Sequence, residues 1–134
     1  MLGTSLLWFG WFGFNGGSAL AANDLASTAC INTNMAACAG GLMWMFLEYI
    51  FKGKVSAYAF PCGLVCGLVV ITPGCGFVPL WSSIIIGMLG SSASFLYGHY
   101  KHIFYNKSTE DTLDVFGCHG VSGLMGDFCT GLFA

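Results

Sequence analysis

The sequence predicts an all-α integral membrane protein of five transmembrane helices. Three observations predict it. Hydrophobic residues make up 56% of the 134 and charged residues only 7%, against roughly 25% charge in soluble domains. Mean hydropathy is +0.76. Five apolar segments, about 2–22, 25–50, 57–72, 79–100 and 111–134, follow one another across short polar or Gly/Pro linkers. The net charge of −2 excludes an electrostatic nucleic-acid binder.

The first segment carries Leu7, Trp11, Phe14 and Ser18 at i, i+4, i+7 and i+11, one narrow helical stripe. Gly10, Gly13 and Gly17 form an adjoining stripe, which predicts a small-x-x-x-small helix contact. A hydroxyl, a ring and an indole on one line could line a pore, and two aromatic faces could hold a cation. Aromatic stripes at helical spacing are, however, more commonly core or lipid-facing.

In the second segment Asn32 and Asn34 sit among Ala29, Thr33, Ala36, Ala37, Gly40 and Gly41. Buried amides there brace neighbouring helices more readily than they bind a solute. Trp44, Glu48 and Tyr49 suit its interfacial end. The third segment is the shortest and stops at Thr72-Pro73-Gly74, where proline and glycine discourage further helix. The fourth ends near His99 and His102, read as solvated surface histidines.

The last segment places His119 in an apolar run long enough to cross a bilayer. A helix beginning near Asp111 puts the imidazole about 12 Å along it, near the middle of a ~30 Å hydrocarbon core. An ionisable group at that depth is a functional-site candidate by default. A structural histidine bonding a neighbouring carbonyl is the competing reading. Gly117, Gly120, Gly123 and Gly126 recur every third residue and leave one side open to close packing.

Seven cysteines lie scattered through the apolar segments without C-x-x-C spacing. They read as small packing residues, and neither a zinc site nor a disulfide framework is supported.

Lysine sets the orientation. Lys52 and Lys54 lie in the second linker and Lys101 and Lys107 in the fourth, with none in the other two. By the positive-inside rule those two linkers are cytoplasmic and the His119 helix runs outward. No basic region precedes the first apolar run, so Met1 does not open a secretory signal. Both ends lie within apolar segments, as expected of a piece of a longer chain. A tandem copy of such an odd-numbered unit would enter the membrane upside down.

Three motifs carry a resemblance. Trp11-Phe12-Gly13-Phe14-Asn15-Gly16-Gly17-Ser18-Ala19, Ile71-Thr72-Pro73-Gly74-Cys75-Gly76-Phe77-Val78 and Asp111-Thr112-Leu113-Asp114-Val115-Phe116-Gly117-Cys118-His119-Gly120-Val121 resemble the ammonium transporters, the Amt/Mep/Rh family. They come in family order and spacing, and the likeness covers essentially the whole chain. Thr33-Asn34-Met35-Ala36-Ala37 with Gly40-Gly41 is most similar to eukaryotic, fungal-type members.

The resemblance implies one inverted repeat of the eleven-helix ammonium transporter fold, helices six to ten, in a multi-pass plasma-membrane protein that forms a homotrimer. It implies ammonium or ammonia as substrate, lipid as surroundings, no cofactor and no enzymatic activity. Residue by residue, Trp11 becomes a pore-lining aromatic and Phe14 one of two stacked phenylalanines closing the outer pore. Ser18 becomes the hydroxyl of the outer recruitment site. His119 becomes the second of twin histidines, Asp114 the acidic residue below it, and Thr72 and Val115 pore-lining residues. The first repeat, with the partner of His119 and the second phenylalanine, is absent, as are the family's final helix and cytoplasmic tail. Asp127 stands where the family usually has a small, apolar or amide-bearing residue.

Other classes separate on simple grounds. A haem protein using His119 as axial ligand would normally need a second buried histidine, and the other two, His99 and His102, read as surface residues at the end of the fourth segment. A non-transporting ammonium sensor or a truncated structural relative differs from a transporter in failing to support growth of transporter-deficient cells on low ammonium.

Overall fold

The computed structural model describes residues 1–104, 111 and 113–134, with the side chains of His102 and Phe104 outside that description. The expectations for His102 and for Lys107 therefore lie outside the described residues. Five α-helices run in order: α1 Leu2–Gly17, α2 Asp24–Lys52, α3 Ala59–Ile71, α4 Leu80–Phe104 and α5 Ser122–Phe133. A wider, π-helical turn, Phe116–Val121, leads directly into α5.

α2 is the frame. Its 29 residues extend ~43 Å at ~1.5 Å per residue. The Asn23 side chain accepts the Ala26 N–H at 3.1 Å and caps its start. Gly53, in the left-handed region at φ 69°, ends it by returning its N–H to the Tyr49 carbonyl. Asp24 in the first turn and Lys52 in the last match the helix dipole.

α3 and α4 lie against α2 so closely that glycine is required at the crossings. A Cβ on Gly67 would stand 2.3 Å from the Ala36 carbonyl oxygen, and one on Gly87 would meet the same atom at 2.3 Å. Gly40 and Gly63 face each other's backbones at 2.5 and 2.4 Å in the same sense. Serines complete the seams: Ser91 donates to the Gly40 carbonyl at 2.7 Å, and Ser94 to the Gly117 carbonyl at 2.7 Å.

Polarity is distributed inside-out. Asn15, Asn32, Thr33, Ser82, Ser83, Ser91, Ser94 and Ser122 are buried, while Leu2, Phe9, Leu124, Phe128 and Leu132 are exposed. This is the arrangement of helices that pack in lipid, where polar contacts and close backbones hold the interior. α2 and Leu80–Lys101 are each long and apolar enough to cross a membrane. α3 has 13 residues, ~20 Å at ~1.5 Å per residue, and is continued by the irregular stretch 72–78. Gly74, Cys75 and Val78 of that stretch are buried, and Asn32 Nδ2 donates to the Cys75 and Val78 carbonyls, each at 2.8 Å. Buried non-helical backbone needs its carbonyls satisfied, and here the Asn32 side chain supplies the donors. Asn32 thus braces, as its position suggested.

Several boundaries differ from the sequence reading. α1 stops at Gly17 instead of continuing to residue 22, because Gly16-Gly17 weakens the helix and Leu20 adopts φ 57°. The last helix does not begin at Asp111. Asp114 takes a left-handed φ of 52°, which no continuing right-handed helix allows. The Asp111 carboxylate accepts the N–H groups of Val115 (2.8 Å) and Phe116 (3.0 Å), capping the true start. His119 accordingly lies about one turn into the helix, not eight residues along it.

The glycine stripes also differ. Among the described residues nothing lies within 4 Å of a Cβ placed on Gly10, Gly13, Gly17 or Gly123, so the contact expected of Gly13 and Gly17 is not made among them. From 117 onwards, among the described residues, Gly117, against Tyr97, and Gly126, against the Val70 carbonyl oxygen at 2.4 Å, are the glycines that meet another helix. Glu48, near the C-terminal end of α2, is buried. It is 4% exposed, pairs with Lys52 at 2.9 Å, and accepts from the Ser56 N–H and hydroxyl at 3.0 Å, which folds the 53–58 turn onto α2. His99 is exposed, as expected, yet its ring also contacts Phe51, Phe95 and Tyr100.

Candidate functional site

α1 contributes the first group. Of its 16 residues only Asn15 is buried, so most of the aromatic stripe lies on an open side. Trp11 and Phe14 meet edge to face, ring centroids 5.6 Å apart. The Trp11 indole N–H donates to Thr72 Oγ1 at 2.9 Å, and the Thr72 hydroxyl donates onward to the Leu68 carbonyl at 2.8 Å. Ser18 follows the last turn of α1 and donates to the Phe14 carbonyl at 2.6 Å. Phe14 itself is 58% exposed.

The structure therefore brings Trp11, Phe14, Ser18 and Thr72 together. An open cavity of about 520 Å³, lined by Leu6, Leu7, Trp11 and Phe14, runs along the outer side of the stripe. A smaller one of about 130 Å³ is lined by Asn15, Ser18, Thr72 and Phe77, among others.

The second group is built by the start of the last helix. His119 is exposed on the π-helical turn, the kind of wide turn that often marks functional positions. Val115 is 54% exposed. Asp114 is half-buried and forms an ion pair with Lys101, which also donates to the Asp111 carbonyl at 2.9 Å. Lys101 thus ties α4 to the residues that start the His119 turn. Asp114 also lines a cavity of about 230 Å³ with Lys52, His99, Trp44 and Phe95. Asp127 is exposed.

Sequence reasoning missed Asn15 and Lys101. Lys101 was read only as a topology marker. Asn15 follows Trp11 by four residues and precedes Ser18 by three, so helical spacing alone could have placed it beside them.

All 134 residues match the model of the Ammonium Transporter Family. The chain belongs to that family. Among ammonium transporters it is 49% identical to one from Aquifex aeolicus over 99% of this chain and 31% of that protein. It is 45% identical to ammonium transporter 1 of Schizosaccharomyces pombe over 100% of this chain and 26% of that protein. The Saccharomyces cerevisiae Mep2 crystal structure superposes with a TM-score of 0.92 at 42% identity, over 99% of this chain and 29% of Mep2. A structure described as a sensor Amt protein gives a TM-score of 0.90 at 33% identity, over 99% of this chain and 32% of that one. The chain spans about a third or less of the length of these relatives. As an ammonium transporter segment it is all-helical, belongs to a non-enzyme transporter family, and shares the Mep2 fold over its five helices.

Proposed function

We propose that this ammonium transporter segment supplies one half of a transmembrane ammonium pathway. Ammonium is recruited at the Trp11, Phe14 and Ser18 face, loses a proton there, and passes as ammonia, with or without that proton, along a wall that includes Thr72, Val115 and His119. Asp114 closes the lower end of that wall. The observation that carries this reading is the Trp11 indole, held by Thr72 with its ring edge-on to an exposed Phe14.

The energetics favour a deprotonation step. Placing a cation at mid-membrane costs about 2.5–3.5 kcal/mol on insertion scales and far more in simulations. A cation–π contact returns about 0.5–2 kcal/mol. Removing a proton from an ammonium group of lysine-like pKa costs about 4–5 kcal/mol at pH 7. The costs are comparable, so aromatics that recruit the cation need not carry it through. Sodium and potassium cannot take this route, having no proton to lose.

The other half of the pathway, including the partner imidazole for His119 and the second phenylalanine, belongs on this reading to a first inverted repeat. The assembled protein is a homotrimer in the plasma membrane serving nitrogen uptake. The structural likeness to a sensor Amt protein favours a second reading, ammonium sensing without transport. Growth on low ammonium decides between them. Transporter-deficient yeast expressing the complete protein should grow if it transports; a folded, membrane-localised protein that supports no growth favours the sensor.

A further inference from the structure

The inference concerns the ligands of the recruitment site and rests on the transport reading above. α1 buries a single side chain, and it is an amide. Asn15 is 4% exposed, on a helix whose neighbouring Phe14 is 58% exposed. Burying an amide is costly unless its hydrogen bonds are made, so its bonding pattern carries information.

Thr33 Oγ1 lies 2.6 Å from the Ala29 carbonyl oxygen and 2.9 Å from Asn15 Nδ2. A carbonyl cannot donate, so the one hydroxyl proton of Thr33 points at Ala29. Thr33 can therefore only accept from Asn15, which fixes the amide with its NH₂ towards α2 and its oxygen turned away. The same logic applies to the two hydroxyls beside it. Ser18 spends its proton on the Phe14 carbonyl, and Thr72 spends its own on Leu68.

Asn15, Ser18 and Thr72 line one cavity of about 130 Å³. Ser18 and Thr72 have their hydroxyl protons committed to the protein, and Asn15 has one of its two amide protons committed to Thr33, so all three present oxygen lone pairs. A cavity lined by three such acceptor oxygens suits a guest that donates several hydrogen bonds. Water has two protons and lone pairs of its own. Ammonium has four protons and no lone pair.

We propose that Asn15 is a specificity-determining ligand of the recruitment site, its carboxamide oxygen joining Ser18 and Thr72 to hold a multi-donor monovalent cation. Thr33 is the positioning residue that keeps the oxygen turned towards that site. The arrangement ranks guests by donor count: ammonium above methylammonium, which has three N–H groups, and above potassium, which has none.

The test uses the complete transporter in proteoliposomes, with ammonium, methylammonium and potassium currents recorded on the same preparations. Asn15→Leu keeps the volume and removes the oxygen. It should raise the ammonium KM roughly tenfold, the scale of one charge-assisted hydrogen bond, and narrow the ammonium-to-methylammonium preference. Asn15→Asp keeps an oxygen but loses the NH₂, and should hold the ammonium KM at or below wild type. A purely structural Asn15 would be damaged by both changes alike. Loss of ammonium affinity in a folded Asn15→Asp protein, or an unchanged KM and preference in folded Asn15→Leu, overturns the proposal. If Asn15→Leu does not reach the membrane, the Asn15→Asp result alone decides in the same sense. Absence of ammonium current in wild type is a different failure and strikes at the transport reading itself.

Discussion

Trp11 and Thr72 lie 61 positions apart in sequence, yet the indole N–H of one donates to the hydroxyl of the other at 2.9 Å. That bond joins the exposed face of α1 to the C-terminal end of α3, where Thr72 is the capping residue. It also aims the Trp11 ring, because an indole held at its nitrogen cannot swing freely about its side-chain bonds.

Thr72→Val should break the bond while keeping the shape. A neutral hydrogen bond contributes about 0.5–1.5 kcal/mol. A double-mutant cycle with Trp11→Phe, read by thermal unfolding of the detergent-solubilised protein, should return a coupling of that size. Thr72→Ser should behave as wild type. Independent, additive losses would show that the two side chains do not hold each other.

The backbone at Asp114 makes a second case. Its φ of 52° is a left-handed conformation that asparagine and glycine accept and β-branched residues resist. Asp114→Val should cost about 1–3 kcal/mol of stability, from strain and the lost Lys101 partner together. Asp114→Gly should lose the ion pair but relieve the strain, and should be clearly the more stable of the two. Exposed pairs contribute only about 0–1 kcal/mol, so the backbone term sets the order. Equal stabilities would show that residue 114 is not left-handed in solution.

Glycines separate into two kinds, and Gly→Ala substitutions should reveal it. At Gly67 and Gly87 an added Cβ would meet the Ala36 carbonyl oxygen at 2.3 Å. Backbone cannot yield there cheaply, and overpacking of about 1–3 kcal/mol or more is expected. At Gly13 and Gly123 nothing among the described residues lies within 4 Å, so alanine should be neutral or stabilise the helix by up to about 1 kcal/mol. Thermal unfolding of the four single variants checks the division. A large loss at Gly13 would mean that another part of the assembled protein packs against α1.

These results show which parts of the molecule were legible in its sequence. The helices were legible because five apolar runs are bounded by residues that end helices, among them Asn23, Gly53 and Pro73. The stripe of Trp11, Phe14 and Ser18 was legible because helical periodicity fixes which residues share a side. The left-handed backbone at Asp114 was not, since such an aspartate carries no local signature. The glycine seams were half legible. Spacing marks which side of a helix is bare, but only the partner helix decides whether backbone arrives there, as at Gly126 and not at Gly123. Asn15 was only half legible: its spacing places it beside Trp11 and Ser18, but only its bond to Thr33 on α2 shows that it is buried and held there.

Orientation is a separate expectation, carried by lysine placement. Reporter tags inserted in the 51–54 and 101–110 linkers should be protected from impermeant reagents applied outside intact cells. A tag in the 73–76 linker should be accessible. The opposite labelling would invert the topology and place His119 on a helix running inward.

His119 is where the account is most directly exposed. Its side chain is open on the π-helical turn and free of the close packing that surrounds Gly117 and Gly126, so His119→Ala should leave the fold intact. The measurement is ammonium and potassium current, side by side, through the complete transporter carrying His119→Ala, His119→Asp or His119→Glu. The account predicts that the alanine protein folds, localises, and either loses ammonium flux or begins to admit potassium, with the carboxylate variants retaining part of the flux because they can still carry protons. Wild-type flux with unchanged selectivity in a properly folded His119→Ala protein would contradict it.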